Sequence, residues 1–252
     1  MASFNGTIYS RSLGMDTNLN IITPRGKLTD TNGNIPRVAY LLHGLSDNAA
    51  AWLENANLRE LSDKYNVAFV MPEVQRSFYT DMAFGLDYYT FISEELPEMV
   101  YSVFKFSEKR EDTAIMGLSM GGYGAFKIGM RNPDKFSKIG GFSTVCDVKA
   151  AMKDTDNVTF TEREKISVLG NELSLSDNDN LYFIAEEFSK SGFKTEIYFS
   201  CGEDDFLLSM NKDYAEHLEK LGIPYSFEMW EGIHNWKFWR ESLDKALEKF
   251  FG

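Results

Sequence analysis

The sequence predicts an α/β fold with a mostly parallel sheet of about eight strands and helices on both faces. From residue 37 onward, short apolar runs recur and are separated by longer stretches with helical periodicity. Unalternating runs rich in β-branched and aromatic residues are typical of parallel strands covered on both faces, and the intervening stretches can form the crossovers. With 252 residues the chain is long enough for one large core, so we expect residues 1–252 to form a single domain.

Individual elements follow from these runs. Strands are predicted at Val38–Leu42, Val67–Met71, Thr113–Leu118, Ile139–Phe142, Glu196–Ser200 and Ser226–Trp230. Helices are predicted roughly at 55–64, 87–104, 120–130, 180–191, 206–221 and 236–251. Two further segments, 3–10 and 15–24, alternate partially and are predicted to be antiparallel strands at the start of the sheet. After them, Asn32-Gly33 can supply the positive φ of a tight hairpin.

One polar stretch, residues 147–180, interrupts this rhythm between two core strands. A connection of that length in a compact domain is either functional or disordered. Thr161-Glu162-Arg163-Glu164 matches the capping box that begins many helices. We therefore interpret 147–180 as a small helical cap inserted into the domain.

Charge and composition exclude several classes of function. The net charge is −12, and such an acidic surface repels phosphate backbones and anionic lipids, so we expect neither nucleic acid nor a membrane as partner. The first residues carry neither a basic start nor an apolar signal-like stretch, which predicts a cytoplasmic protein. Cys146 and Cys201 have no close-spaced partner and are interpreted as reduced structural residues.

The chemistry is expected at Gly117-Leu118-Ser119-Met120-Gly121. The pattern G-x-S-x-G alone is weak evidence, because it arises by chance in about one chain of this length in ten. Here, however, a buried strand pattern precedes it and a helical pattern follows it. In that setting the glycines allow a tight turn that exposes the serine, which predicts Ser119 as a nucleophile; the alternative is a turn that only packs helix on strand.

A serine nucleophile needs a base, and the chain contains three histidines. His217 lies in a charged amphipathic helical pattern and is predicted to be a surface residue. His43 follows the first parallel strand and is expected to shape that loop through hydrogen bonds. His234 lies between the last strand and the last helix, where a loop can hold it over the carboxyl edge of the sheet. His234 is therefore the predicted base.

The acid of such a triad is expected between serine and histidine in the chain. Glu203, Asp204 and Asp205 follow the strand that begins at Glu196. Asp205 is the predicted acid, Asp204 is its immediate competitor and Glu203 a weaker one. A carboxylate without a catalytic role would serve there as the N-cap of the next helix.

Substrate contacts are expected around these groups. Two backbone N–H groups, of Met120 and Leu45, are predicted to form the oxyanion hole, since one follows the nucleophile and the other follows an early strand. Trp230, Trp236 and His43 are candidate substrate-binding residues, although most such aromatics pack the core. No histidine or cysteine cluster has metal-ligand spacing and no phosphate loop is present, so we expect neither metal nor cofactor.

Several motifs together resemble the putative-esterase family, and the similarity spans nearly the whole chain. The motifs are His43-Gly44-Leu45-Ser46-Asp47-Asn48 with Trp52, Arg76-Ser77-Phe78-Tyr79, Tyr88-Tyr89, Glu94-Glu95-Leu96-Pro97 and Gly117–Tyr123. That family includes esterase D (S-formylglutathione hydrolase), bacterial tributyrin esterases, and some feruloyl and acetyl-xylan esterases. The chain is most similar to the tributyrin-esterase branch.

The resemblance implies an α/β-hydrolase fold and cofactor-free hydrolysis of short-chain acyl esters. It also implies the triad Ser119, Asp205 and His234, with oxyanion amides at Leu45 and Met120. The stretch Phe142–Asp147 departs from the family, whose members often have Ser-Gly after this strand, so the shape of the acyl pocket stays open.

The expected substrate is thus a small-molecule ester, and the protein could form homo-oligomers through its cap or a sheet edge. Alternative enzymes are a feruloyl or acetyl-xylan esterase acting on cell-wall oligosaccharide esters, and an S-formylglutathione hydrolase. A non-enzyme alternative is an inactive hydrolase-fold binding module. Such a module would usually lack one of the three triad residues, all of which this sequence retains.

Overall fold

The predicted sheet is present in the computed structural model, which describes residues 2–25, 35–152 and 160–252. Its strands are β1 (Ala2–Ser10), β2 (Met15–Thr23), β3 (Arg37–Leu42), β4 (Val67–Pro72), β5 (Thr113–Leu118), β6 (Lys138–Phe142), β7 (Glu196–Gly202) and β8 (Ser226–Trp230). They form one eight-stranded sheet in the order β1-β2-β4-β3-β5-β6-β7-β8. The hairpin predicted at Asn32-Gly33 lies outside the described residues.

Strand direction follows the prediction. β1 pairs antiparallel with β2, and β2 pairs antiparallel with β4. All other neighbouring pairs, from β4 through β8, are parallel. The carboxyl ends of six parallel strands therefore meet at one edge of the sheet.

Helices connect these strands. They are α1 (Ala51–Asn55), α2 (Leu58–Tyr65), α3 (Tyr88–Thr90), α4 (Leu96–Val103), α5 (Met120–Arg131), α6 (Val148–Ala151), α7 (Glu162–Leu169), α8 (Leu181–Lys190), α9 (Leu208–Lys220) and α10 (Trp236–Phe251). A π-helical segment, Phe91–Glu95, joins α3 to α4. The helix predicted at 55–64 corresponds to α2, which begins at Leu58 because the backbone is extended at Ala56, the residue after α1. None of the helices within the described residues combines the length and apolar character that a membrane span requires.

The core lies on both faces of the sheet, which explains why the strand sequences do not alternate. In β3, Tyr40 and Leu42 belong to the larger apolar cluster, whereas Ala39 and Leu41 point to the opposite face and belong to a second cluster. All four side chains are almost completely buried. Helices cover each face, so either orientation of a strand residue requires an apolar side chain.

The insertion contains α6, α7 and a 3₁₀ turn at Asp177–Asp179, and its residues 153–159 are outside the described part. The predicted capping box at Thr161 and Glu164 is present. Near its end, the fully buried ammonium of Lys127 lies 2.9 Å from the Asp179 carboxylate. Burial lowers the pKa of Lys127 to about 8, against the opposing effect of Asp179. The Lys127–Asp179 ion pair thus connects the end of the 147–180 insertion to α5.

A buried carboxylate joins the β1–β2 turn to the π-helical segment. Glu95 accepts hydrogen bonds from the Ser10 hydroxyl at 2.7 Å and from the backbone N–H groups of Arg11 and Ser12 at 2.7 and 3.1 Å. Burial alone would raise the pKa of Glu95, but these donors hold it at about 2. This single side chain thus satisfies the polar groups of a turn that lies more than eighty residues away in the chain.

Glu95→Gln should lower the free energy of unfolding at pH 7 by about 1.5–3 kcal/mol. The amide carries no charge, and its NH₂ group would face the hydrogen-bond donors of the β1–β2 turn. Urea denaturation would measure it, with the exposed neighbour Glu94→Gln as control. The folded-state pKa is below the ordinary 4.5, so this stabilisation is complete above pH 4.5 and is lost as the pH falls towards 2. Equal stability of the two variants at pH 7 would contradict this role.

Candidate active site

Ser119 lies at the junction between β5 and α5 with an unusual backbone conformation, φ 54° and ψ −115°. Its N–H donates to the Phe142 carbonyl at 2.8 Å. Its own carbonyl accepts from the N–H groups of Tyr123 and Val145, each at 3.2 Å. Strained residues of this kind persist only where neighbouring bonds fix them, and they concentrate at functional sites.

Close backbone contacts explain the glycines of the motif. A Cβ atom on Gly117 would clash with the Gly121 carbonyl, and a Cβ atom on Gly121 would clash with the Leu42 carbonyl at the end of β3. Helix α5 therefore begins directly against the end of β3. The tight turn predicted from the sequence is present, and it directs the Ser119 side chain to the carboxyl edge of the sheet.

His234 joins Ser119 to Asp205. Its Nε2 lies 3.0 Å from the Ser119 Oγ, and its Nδ1 lies 3.0 and 3.1 Å from the two carboxylate oxygens of Asp205. The three residues follow β5, β7 and β8, whose carboxyl ends share one edge of the sheet. One ring nitrogen thus faces an acceptor while the other faces a hydroxyl, the arrangement required for moving a proton to and from serine.

Of the three predicted acids, only Asp205 contacts His234. Its side chain is fully buried, and its Oδ1 also accepts from the Leu207 N–H at 2.9 Å. Burial alone would raise the pKa of Asp205, but the bond and charge of His234, with the Leu207 and Ser143 donors, hold it below its usual value. Asp204 and Glu203 are exposed.

Sequence reasoning missed Ser143. This fully buried residue follows β6 with φ 49°, and its hydroxyl accepts from the Trp239 indole N–H at 3.0 Å while lying beside Asp205. Its N–H donates to the Ser200 carbonyl at 2.7 Å. The available signal was its place directly after a predicted parallel strand, at the carboxyl edge that also carries Ser119, Asp205 and His234.

The predicted oxyanion amides line the same cavity as Ser119. Met120 is the first residue of α5, so its N–H has no acceptor within the helix. In the described part of the chain, no acceptor within hydrogen-bond distance faces the Leu45 N–H. Both groups are therefore free to bind an oxygen that carries developing negative charge.

His43 shapes the loop behind Leu45, as expected. The Val74 N–H donates to its Nε2 at 3.1 Å, which matches the tautomer with the proton on Nδ1, 2.8 Å from the Gly44 carbonyl. The Glu73 carboxylate lies farther from Nε2, at 3.4 Å. In a trans peptide the carbonyl and the following N–H point in opposite directions. By holding the Gly44 carbonyl, His43 fixes the direction of the Leu45 N–H.

The cavity in front of Ser119 has a volume of about 940 Å³, and His234 lies in its wall. Of the three predicted substrate-binding residues, Trp236 lines it. The prediction for the other two needs correction: His43 is 1% exposed behind the cavity wall, and Trp230 stacks on Phe238 at 4.3 Å instead of facing the cavity. Like these two, His217 is absent from the wall; it is half-buried and contacts the Tyr182 carbonyl.

The sheet order, the helices on both faces and the serine at a strand–helix junction define an α/β-hydrolase fold. Residues 10–250 match the family described as "Putative esterase". An acetyl esterase from Caldicellulosiruptor saccharolyticus is 34% identical over 98% of this chain and 97% of its own length.

Solved structures agree with that match. The fluorophosphonate-binding serine hydrolase F of Staphylococcus aureus is 28% identical, with a TM-score of 0.92 over all of this chain and 98% of that chain. An S-formylglutathione hydrolase from Staphylococcus aureus is also 28% identical, with a TM-score of 0.89 over all of this chain and 99% of that chain. The chain belongs to the esterase family, and it is a carboxylic-ester hydrolase.

A pair of variants tests the hydrogen bond from His43. His43→Asn can still donate to the Gly44 carbonyl, whereas His43→Leu cannot, and both lose the acceptor for Val74. We expect kcat for ester hydrolysis to fall by about 10²-fold in the leucine variant, the effect of disturbing one oxyanion donor, and less in the asparagine variant. Thermal unfolding would verify that both variants fold, and equal kcat values would refute this role.

Proposed function

We propose that the protein hydrolyses short-chain carboxylic esters through a Ser119–His234–Asp205 triad and an acyl-enzyme. The observation that carries this proposal is the continuous chain of hydrogen bonds from the buried Asp205 carboxylate through His234 to the Ser119 hydroxyl. The family match and the esterase relative support the same chemistry.

In the first step, His234 Nε2 takes the Ser119 proton while Oγ attacks the ester carbonyl carbon. The carbonyl oxygen becomes negative and accepts hydrogen bonds from the Leu45 and Met120 N–H groups. The tetrahedral intermediate collapses, the bond to the leaving oxygen breaks, and His234 returns its proton to that oxygen. The alcohol leaves and Ser119 carries the acyl group.

In the second step, His234 removes a proton from water, and the resulting hydroxide attacks the acyl carbon. The same two amides bind the oxyanion, and collapse releases the carboxylic acid as Ser119 regains its proton from His234. Asp205 holds the tautomer with the proton on Nδ1 and stabilises the imidazolium that forms in each step. Its own Leu207 donor fixes its orientation towards the ring.

The cavity can hold the acyl group against an apolar wall that includes Phe78, Val145, Phe160 and Met210. Its volume is about 940 Å³, a space that the acyl chain shares with the leaving alcohol. Burial of the acyl chain against this wall removes apolar surface from water. The acetyl esterase relative supports a short acyl group at this position.

A carbohydrate ester is the second candidate substrate. The aromatic residues Trp236 and Phe206 in the cavity wall favour it, since aromatic faces can stack on a sugar ring. The carboxylic-ester hydrolase class argues against an inactive binding module.

The cytoplasmic location and the homo-oligomer stay predictions, and Cys146 and Cys201 are buried free thiols, as such a location requires.

Ser119→Ala should lower kcat for p-nitrophenyl acetate by at least about a thousandfold, because the nucleophile is lost. Fluorophosphonate should label Ser119 in the wild type and nothing in this variant, as peptide mass spectrometry would show. Asp205→Asn should lose about 10⁴-fold in kcat through the wrong imidazole tautomer, whereas Asp204→Asn should stay within about tenfold of the wild type. A Ser119→Ala variant with more than a few per cent of the activity would disprove the assignment.

A series of p-nitrophenyl esters tests acyl length. We expect kcat/KM to be greatest for acetate to butyrate and to fall for octanoate and laurate, as the acetyl esterase relative indicates. Ser119→Ala, measured with every ester, subtracts spontaneous hydrolysis. A kcat/KM that still rises at laurate would contradict the proposed preference for short acyl chains.

A further inference from the structure

The charges in the wall of the active-site cavity are unbalanced. The carboxylates of Asp47 and Asp204 line it, together with Ser119 and His234. Among the described residues that line it, none is lysine or arginine. Neither carboxylate forms a salt bridge with a cationic side chain in the described ranges. Within the described part of the wall, two carboxylates without a lysine or arginine partner therefore face any molecule that enters.

Both carboxylates lie on the side of the cavity where the alcohol leaves. The Asp204 N–H donates to the carbonyl of Gly232, two residues before His234, at 3.0 Å, and Asp204 lines the cavity together with His234. Asp47 is close enough to His234 for the two to interact electrostatically. His234 must reach the leaving oxygen to protonate it, so the leaving group lies beside the imidazole and not along the apolar wall that includes Val145 and Met210.

The loop geometry makes Asp47 a fixed charge. Its N–H donates to the Gly44 carbonyl at 3.2 Å, and its carboxylate accepts from the Gly44 backbone N–H. These bonds hold the side chain in the turn that also carries Leu45. Burial raises the pKa of Asp47, against the opposing effects of His43, Gly44 and His234, so a test at pH 8 keeps it ionised more completely than one at lower pH.

We propose that Asp47 and Asp204 make the leaving-group site selective against anions, so that the substrates are esters of uncharged or cationic alcohols. This inference rests on the proposed function, because it requires the alcohol to leave beside His234. An anionic group there would meet two carboxylates in a partly desolvated cavity, and the net charge of −12 adds to the repulsion. A neutral sugar or polyol ester fits this site, whereas a thioester of an anionic peptide thiol such as glutathione does not.

Three aryl acetates of similar shape provide the test: phenyl acetates with para trimethylammonium, sulfonamide or sulfonate groups. The measured quantity is kcat/KM at pH 8 and low ionic strength, divided by the hydroxide-catalysed rate of each ester to remove differences in leaving-group reactivity. We expect the order cation, neutral, anion, with about a tenfold loss for the anion, as for charges several ångströms apart near a protein surface. Added salt should reduce the spread.

Asp47→Asn and Asp204→Asn should each reduce the ratio of cation to anion, and the double variant should bring it close to one. Asp134→Asn is the matched control, because this exposed residue precedes β6 at the opposite edge of the sheet and changes the net charge equally. It should leave the ratio as in the wild type. A double variant that keeps the wild-type ratio, or a wild type without charge preference, would overturn the inference.

These experiments distinguish a failure of the charge preference from a failure of the proposed triad. If fluorophosphonate labels Ser119 and the neutral ester is hydrolysed without charge preference, only the inference about Asp47 and Asp204 is wrong. If Ser119→Ala retains hydrolysis of the neutral ester, the proposed triad is wrong and the charge preference loses its basis. Circular dichroism of the double variant would verify its fold before the ratios are compared.

Discussion

The structure depends most on the contact between Gly121 and the carbonyl at the end of β3, which allows α5 to start directly against the sheet. Any side chain at Gly121 would push the helix away from Leu42. Because α5 begins there, the Met120 N–H and the Leu45 N–H lie in one cavity wall with Ser119. The proposed oxyanion site is thus a consequence of how closely one helix approaches one strand.

The proposed triad depends on a second constraint, the parallel order of β5, β6, β7 and β8. Residues that follow β5, β7 and β8 are far apart in the chain, but parallel strands bring their carboxyl ends to one edge. Ser143 follows β6, between these strands, and its hydroxyl lies beside Asp205. Each strand of this half of the sheet therefore contributes one polar group to the same small volume.

The sequence was informative where a local pattern determines the structure. Buried strands, the turn at Ser119 and the capping box at Thr161 depend on nearby residues, and all were predicted correctly. The π-helical segment could not be predicted, because it coincides with the bonds that Glu95 makes to a distant turn. Trp230 was misjudged because the sequence does not show which face of β8 carries the tryptophan. Tertiary contacts decide both cases.

Asp204 and Asp205 are neighbours in the chain, but their carboxylates lie in different surroundings and have different roles. Asp205 points inward, where the Leu207 N–H and His234 compensate its buried charge. Asp204 points outward into the cavity, where water solvates it and where it can act only on what enters. A carboxylate is tolerated at both positions for different physical reasons: donors in the first, solvent in the second. An arriving anion would displace that solvent. Asp204 therefore affects which charge the leaving group can carry, whereas Asp205 acts on the His234 imidazole.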